Sequence, residues 1–242
     1  MDRTRTRRPS ADDTKTGVTL GAALACPRYE VIPTRGADGW MGDLPREAKV
    51  AITCSPAQGI ESTLLLAERL AERGFRVVPH VSARFLAGGA QLEEMVGRLR
   101  NLEVKEVFVI GGDAKKPVGP YSSAFELLRA MAELGHGFEE IGVGGYPEGH
   151  PLINDDTLRR ALLNKQRFAT YVVTQMCFDP GPILDWAASL RRLGVSLPVL
   201  VGVPGSWNVR GCCRSPARSG WVNQSASSRN TPALREVSWR TS

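Results

Sequence analysis

The sequence predicts an α/β fold, a TIM-type (β/α)8 barrel that is incomplete after its seventh strand. Seven apolar segments typical of buried strands start near residues 29, 50, 76, 105, 139, 170 and 198, and helical patterns separate them. This alternation gives parallel strands with helices on the outside. Seven such units in a chain of 242 residues favour a barrel over a doubly wound sheet. The first strand is also not followed by the G-x-G-x-x-G of a dinucleotide-binding fold.

The individual elements follow from the spacing of apolar residues. Ile60, Leu64 and Ala67 recur on one helical face, and Gly74 and Gly194 end two of the helices. The predicted strands are 29–33, 49–54, 76–81, 106–110, 141–144, 171–178 and 198–204, and the predicted helices lie within 60–74, 92–99, 124–134, 158–168 and 183–193.

The net charge of +6 is concentrated at the two ends of the chain. Residues 1–28 hold six Lys/Arg and three Asp, and residues 206–242 hold six Arg and one Glu, which leaves −2 for residues 29–205. Residues 29–205 therefore lack an excess of positive charge, which argues against nucleic acid as the main partner. No apolar run is long enough for a membrane span. Five unevenly spaced cysteines predict reduced thiols and a cytoplasmic protein.

The composition divides the chain into three parts. Residues 1–16 are polar and unpatterned, which predicts a disordered segment, and residues 17–205 form the predicted barrel. No periodicity continues in residues 206–242, although three of the five tryptophans lie there. Because tryptophan is rare in disordered segments, we interpret this tail as aberrant, from a shifted reading frame or a re-terminated copy. A lineage-specific disordered tail is the alternative.

Polar residues stand at the predicted carboxyl ends of the first six strands, where barrel enzymes place their catalytic groups. Strands buried on both faces are expected to be apolar, so six polar residues exceed what packing requires. Each of these residues alone could have a structural role; His80, for example, could be a hydrogen-bonded histidine of the core. A buried carboxylate such as Glu30 is costly without a partner or a task. The converging set is Glu30, Thr53, His80, Asp113, Tyr146 and Gln175.

The loop after the fifth strand concentrates several polar types. Residues 141–151 begin as a buried strand and open into glycines and prolines, with Tyr146, Glu148 and His150 at the break. An ordinary strand-to-helix loop is the alternative. One histidine and two carboxylates on separate strands are a poor metal site. A buried acid beside amide, hydroxyl and phenol groups suits a flat heteroaromatic ligand that needs protonation.

Four segments resemble the methylenetetrahydrofolate reductase family, in order and spacing, over residues 29–205. Gly-Gly-Tyr-Pro-Glu-Gly-His-Pro at 144–151 resembles the family's G-Y-P-E-x-H-P signature, and Val-Thr-Gln-Met-Cys-Phe-Asp at 173–179 resembles its I-T-Q-x-x-F-D strand. Gly111-Gly112-Asp113 resembles its R-G-D turn, and Tyr-Glu-Val-Ile-Pro at 29–33 resembles its F-E-F-x-P first strand. The combination is specific.

The resemblance implies an oxidoreductase that acts on CH–NH groups and holds FAD in a (β/α)8 barrel. Such an enzyme reduces 5,10-methylenetetrahydrofolate to 5-methyltetrahydrofolate with NADH or NADPH, in one-carbon metabolism and methionine biosynthesis, as a cytoplasmic homo-oligomer. Glu30 would be the general acid that helps open the folate's five-membered ring to an iminium. Asp113 would lie by flavin and pterin and tune both. Gln175 would bind folate and nicotinamide donor by turns.

The resemblance also implies a set of cofactor contacts. Thr53 would contact the flavin ring, and Lys165 would lie near the FAD phosphates, although the segment between Lys165 and Gln175 is one residue short of the family spacing. His80 aligns with a family histidine at the end of the third strand. The implied cofactor-binding residues are Thr53, His80, Gly112, Asp113, Gly145, Tyr146, His150 and Lys165.

Two departures from the family pattern keep other functions open. Gly111 removes a guanidinium near the flavin, and the last barrel strand with its ligand-closing loop has no counterpart in the sequence. One alternative is therefore a truncated or frameshifted family member with little or no activity. Another is a flavin- or pterin-binding barrel with a different one-carbon reaction.

Overall fold

The computed structural model describes residues 27–34, 36–37, 44–45 and 48–203. The predicted disordered segment at 1–16 and the predicted aberrant tail at 206–242 lie outside these residues. None of the described helices is long and apolar enough to cross a bilayer. The strands are β1 (Arg28–Val31), β2 (Lys49–Ile52), β3 (Arg76–Ser82), β4 (Glu106–Ile110), β5 (Glu140–Gly145), β6 (Tyr171–Thr174) and β7 (Val199–Leu200), and the helices are α1 (Gly59–Glu72), α2 (Gly89–Asn101), α3 (Ala124–Leu134), α4 (Asp155–Lys165) and α5 (Pro180–Arg192).

The seven strands form one sheet in which each strand pairs with its neighbours in sequence. Every pairing is parallel. A doubly wound sheet reverses its strand order at a switch point, whereas this order runs from β1 to β7 without reversal. Over the described ranges β1 pairs with β2 alone, β7 pairs with β6 alone, and no eighth strand is present. The predicted fold class, an incomplete TIM-type barrel, is confirmed.

The two faces of the sheet have different surroundings. Outward-facing residues such as Val50 and Val107 are fully buried against the helices in the main hydrophobic core. Paired residues in parallel strands share a face, so the register puts Glu30 on the same inner face as Ala51. The apolar part of that inner face is a second, smaller cluster made of Ala51, Val78, Phe108 and Tyr171.

The element boundaries shift where side chains cap the helices. The Asn154 side chain accepts the N–H of Thr157 at 2.9 Å, so α4 begins at Asp155 rather than at the predicted residue 158. β6 ends at Thr174, short of the predicted residue 178. Its last residue turns to a loop partner, because the Thr174 hydroxyl accepts the N–H of Gly202 at 3.0 Å.

A network of charged side chains closes the amino end of the inner face. The Glu106 carboxylate on β4 accepts hydrogen bonds from Lys49 at 2.7 Å, from the Tyr171 hydroxyl at 2.6 Å, and from Arg28. Glu140 adds a second carboxylate, with its oxygen 3.2 Å from the Lys49 ammonium. These contacts link five of the seven strands, although the sequence pattern predicts none of them.

Glu106 is ionised in the folded protein despite its burial. Burial alone raises the pKa of this carboxyl, but hydrogen bonds from Lys49 and Tyr171 and the charge of Arg28 outweigh it and hold the pKa below its ordinary value. The pKa of Tyr171 is raised mainly by burial and further by its hydrogen bond to Glu106. The Glu106 side chain is only 7% exposed, so water offers the carboxylate little compensation if a partner is removed.

We predict that Glu106→Gln lowers the free energy of unfolding at pH 7 by about 3 kcal/mol, because it leaves Lys49 and Arg28 without their buried counter-charge. The folded pKa of Glu106 is lowered, so this stabilisation is present above the unfolded pKa and is lost as pH falls through the folded one. Urea unfolding at pH 7 and at pH 3 should therefore show a difference between wild type and variant that shrinks in acid.

Glu133→Gln is the matched control, because Glu133 lies on the exposed side of α3, where its carboxylate faces Arg129 at 3.6 Å with 72% of its side chain exposed. The control should change stability by no more than about 0.5 kcal/mol. Equal effects of the two variants would contradict a structural role for the network.

Candidate active site

The end of β5 brings a phenol over the inner face of the sheet. A Cβ at Gly144, which faces inward, would lie 3.5 Å from the Tyr146 hydroxyl, so the Tyr146 side chain folds back over this glycine. The neighbouring Gly145 faces the helices instead, where a Cβ would lie 2.4 Å from the Trp186 ring. Gly145 is therefore required for packing, and its backbone rather than a side chain borders the predicted site.

Tyr146 lies close enough to Asp113 to feel its charge and in ring contact with His150. Burial raises the pKa of Tyr146, and the negative charge of Asp113 raises it further. The His150 ring packs edge-on against the Tyr146 ring with centroids 5.2 Å apart. His150 Nδ1 accepts the N–H of Leu152 at 3.2 Å, so in the neutral imidazole Nε2 carries the proton. The loop thus presents a phenol and an imidazole donor close to a carboxylate.

Gly112 sets the direction in which the chain leaves β4 toward Asp113. Its φ of +90° is a conformation that side chains disfavour, and a Cβ there would lie 1.8 Å from the Ser82 Oγ. Gly111, by contrast, has room for a side chain, because the nearest atom to its Cβ position is the Ala124 nitrogen at 4.0 Å. Asp113 itself is exposed.

Thr53 carries a buried hydroxyl that no described residue satisfies. It follows β2 on the inner face, two residues beyond Ala51. Its backbone is fully engaged, since the N–H donates to the Val31 carbonyl at 2.9 Å and the carbonyl accepts from the Thr63 hydroxyl at 2.8 Å. Buried polar atoms without partners are rare. A ligand acceptor or donor over the inner face would satisfy this one, so the position fits the predicted cofactor contact.

His80 and Glu30 face the same interior, and their pKa values are shifted in opposite directions. His80 is buried, and its ring packs at a tilt on Phe108 with centroids 4.6 Å apart. Burial lowers the pKa of His80 to about 3, so its imidazole is neutral at physiological pH. Glu30 is exposed rather than buried as the sequence predicts, because β1 lies at the edge of the described sheet. Desolvation by the protein around its carboxyl still raises the pKa. Glu30 therefore holds a proton at higher pH than an ordinary glutamate.

Gln175 is fixed by its backbone directly after β6. Its N–H donates to the Gly145 carbonyl at 2.7 Å, and its carbonyl accepts the Cys177 thiol at 3.1 Å. Cys177 is a neighbour that the sequence pattern did not predict. Burial raises the pKa of that thiol to about 11, with a further contribution from Glu148. The two family-like segments, 144–151 and 173–179, therefore touch each other at the end of the sheet.

Lys165 lies away from this group. It is in the last turn of α4, and 11 residues of helix separate it by about 15 Å from the loop that begins at Tyr146. Burial lowers the pKa of Lys165 to about 8. The structure thus gathers the other predicted positions at the strand ends and leaves Lys165 at the far end of its helix.

A shallow cleft of about 320 Å³ lies beside Tyr146 on the outer side of the sheet, between α4 and α5. Arg159, Arg192 and Trp186 are among its lining residues, but the other predicted site residues do not border it. Among the residues that the structure describes, no three His, Cys, Asp or Glu side chains come together as a metal site.

We predict opposite effects on stability for two threonine substitutions. Thr53→Val removes an unpaired buried hydroxyl and should keep or raise the melting temperature, whereas Thr63→Val removes a 2.8 Å hydrogen bond to the Thr53 carbonyl and should cost about 1–3 kcal/mol. Thermal unfolding of the two purified variants without added ligand checks this. A loss of stability in Thr53→Val as large as in Thr63→Val would show that the Thr53 hydroxyl has a structural partner.

Comparison with known proteins agrees with the resemblance noted in the sequence. The family model described as methylenetetrahydrofolate reductase matches residues 47–212, which is more than half of the chain. Methylenetetrahydrofolate reductase 1 of Schizosaccharomyces pombe is 32% identical over 65 residues, covering 26% of this chain and 11% of the relative. Methylenetetrahydrofolate reductase 2 of Saccharomyces cerevisiae is 29% identical over 89 residues, covering 35% and 15%. The aligned segments span less than a fifth of either relative, but the family match places this chain in the methylenetetrahydrofolate reductase family.

Proposed function

We propose that this protein reduces 5,10-methylenetetrahydrofolate to 5-methyltetrahydrofolate with NADH or NADPH and bound FAD. The observation that carries the proposal is Glu30, a carboxyl with a raised pKa on the inner face of a barrel sheet from this family. A general acid works best with a pKa close to the working pH. The folate ring system needs such an acid at a nitrogen before its methylene carbon can accept hydride.

The inner face supplies groups for a flat cofactor at the strand ends. The unpaired Thr53 hydroxyl would hydrogen-bond the ring edge, and the neutral His80 imidazole with Phe108 would provide an uncharged wall beside it. FAD, when bound there, would supply the two-electron chemistry that connects nicotinamide to folate. The remaining proposed contacts are Gly112, Asp113, Gly145, Tyr146, His150 and Lys165, of which Lys165 alone would act from the distant end of α4.

Asp113 and Gln175 are the proposed substrate contacts. Asp113 is exposed at the end of β4. Its negative charge adds to the effect of burial in raising the pKa of Tyr146. It would hydrogen-bond N–H groups of the pterin and stabilise positive charge on it. The Gln175 amide offers both a donor and an acceptor and would bind either folate or nicotinamide on one face of the cofactor.

The proposed setting is a homo-oligomer in the cytoplasm. Both cysteines within the described ranges, Cys54 and Cys177, are free and buried, which is typical of a reducing compartment. The chain's own charge pattern leaves residues 29–205 nearly neutral, so neither nucleic acid nor an anionic membrane surface is a proposed partner.

Gly111 favours a second candidate, a flavin- or pterin-binding barrel with a different one-carbon reaction. The space at this position would admit a group that a larger side chain blocks. Mass spectrometry of the folate products formed with NADH, NADPH and FAD distinguishes the two. Formation of 5-methyltetrahydrofolate supports the reductase, and another folate product supports the alternative. If the protein is folded but forms no product, the result supports the alternative of a family member with little or no activity.

Flavin binding is the first test. Addition of FAD to the folded protein should perturb the visible flavin spectrum in a saturable way. Thr53→Val should raise the dissociation constant for FAD about 5- to 10-fold, which corresponds to the free energy of one hydrogen bond. Thr157→Val, on the exposed first turn of α4, is the control and should bind as wild type does. A folded protein with no saturable spectral change would refute the proposed cofactor.

Glu30→Gln should abolish folate reduction while NADH or NADPH still bleaches added FAD at close to the wild-type rate, because that half-reaction needs no such acid. In the wild type, the raised pKa of Glu30 keeps the acid form present up to a higher pH than in an ordinary glutamate. Folate reduction should therefore fall as pH rises through that pKa, and stopped-flow measurements across pH 5–9 check the profile. Equal loss of both half-reactions would make Glu30 structural.

A further inference from the structure

The connection between β4 and Ser123, the N-cap of α3, is residues 111–122; it carries Asp113 but has no helix or strand of its own. Asp113 is exposed, so its position depends on how firmly the backbone on either side of it is held. A long irregular connection is free to move unless other parts of the chain bind it. The contacts of this connection therefore decide whether Asp113 can serve as a fixed active-site group.

Arg84 binds this connection at four points. It lies in the short 3-10 turn Ala83–Phe85 that follows β3. Its backbone N–H donates to the Gly111 carbonyl at 3.0 Å, and its carbonyl accepts the N–H of Val118 at 3.0 Å. Its guanidinium donates through Nη1 to the Ala114 carbonyl at 2.8 Å and through Nε to the Ser122 carbonyl at 2.9 Å. One residue thus holds both ends and the middle of the connection.

Close packing supports the same attachment. A Cβ at Gly119 would lie 2.3 Å from the Ala87 carbonyl oxygen and 2.6 Å from that of Leu86. The connection therefore lies directly on the backbone that follows Arg84. At the start of the connection, a Cβ at Gly112 would lie 1.8 Å from the side-chain oxygen of Ser82. The segment after β3 and the segment after β4 are packed together along their length.

The guanidinium is suited to this task in a way that other side chains are not. Its planar set of N–H groups reaches two carbonyls at once in fixed directions, whereas a lysine ammonium on a flexible stem holds such a geometry less firmly. The Ala114 carbonyl follows Asp113 directly, so the Nη1 contact restrains the backbone next to the carboxylate. The guanidinium thus contacts the residue that follows Asp113 in sequence.

We propose that Arg84 is a positioning residue for Asp113. It acts by fixing the 111–122 connection through its guanidinium and does not touch folate, nicotinamide or cofactor. This inference rests on the proposed function for its consequences in catalysis, but the attachment of the connection is independent of that function. Misplacement of a catalytic group by about 1 Å can cost up to about 100-fold in rate, so the attachment has a measurable effect.

Three variants of the full-length protein test the proposal. Arg84→Ala should raise amide hydrogen exchange in residues 113–122 several-fold and leave the strands unchanged. It should lower kcat for folate reduction about 10-fold, with little change in the KM for NADH or NADPH. Arg84→Lys should restore part of kcat, since one carbonyl contact can persist. Arg129→Ala, which removes an exposed arginine of α3, is the control and should change neither measurement.

A double-variant cycle with Asp113→Asn identifies the route. If Arg84 acts through Asp113, adding Arg84→Ala to Asp113→Asn should lower the residual kcat by less than 2-fold. Independent, multiplicative losses would overturn the proposal. So would faster exchange in residues 113–122 with a wild-type kcat, or a general rise in exchange over the whole sheet.

The failure of the proposed function is distinguishable from these outcomes. A wild-type protein without folate reduction would refute that function, while the exchange comparison would still test the attachment of the connection. Unchanged exchange in residues 113–122 of Arg84→Ala would overturn the attachment whether or not the enzyme is active.

Discussion

The Glu106 carboxylate holds the two halves of this sheet together at its amino end. Its partners come from β1, β2 and β6, and the nearest of them is 57 residues away in sequence. Parallel strands pair only with their direct neighbours, so backbone hydrogen bonds alone do not join β1 to β6. The ionic network supplies that connection across the interior. It also places charged groups at the amino end of the inner face, so the carboxyl end of the sheet is left for the proposed ligand site.

The titratable groups on the inner face have pKa values shifted in different directions, because their neighbouring groups differ. Glu106 has cationic and hydroxyl donors, so its pKa is lowered despite burial. Glu30 lies further along the strands, where desolvation raises its pKa. His80 is buried against Phe108, where desolvation lowers its pKa and keeps its ring neutral. The inner face therefore carries an ionised carboxylate at its amino end, and a carboxyl with a raised pKa and a neutral imidazole toward its carboxyl end.

The sequence predicts the order of the elements because strands buried on both faces and helices with one apolar face leave periodic patterns. It also predicts that Thr53 and Tyr146 share one end of the sheet, because parallel strands end together. Long-range side-chain pairing leaves no such pattern, so the network around Glu106 could not be predicted. Arg84 was missed because its partners are backbone carbonyls, which every residue possesses. Lys165 was assigned only through the family resemblance, in a segment one residue short of the family spacing, and α4 carries it away from the loop after β5.

The groups proposed for chemistry owe their placement to the backbone more than to their own side-chain contacts. The N–H of Thr53 bonds across to Val31, and the N–H of Gln175 bonds across to Gly145. Each bond extends the strand pairing one residue past the end of a strand, so these side chains start from atoms as fixed as the sheet. Asp113 lies two residues farther out, beyond Gly112 with its φ of +90°, where no ladder bond reaches. An irregular connection in that position needs an external restraint, and the guanidinium of Arg84 is the group in the described structure that is placed to provide it.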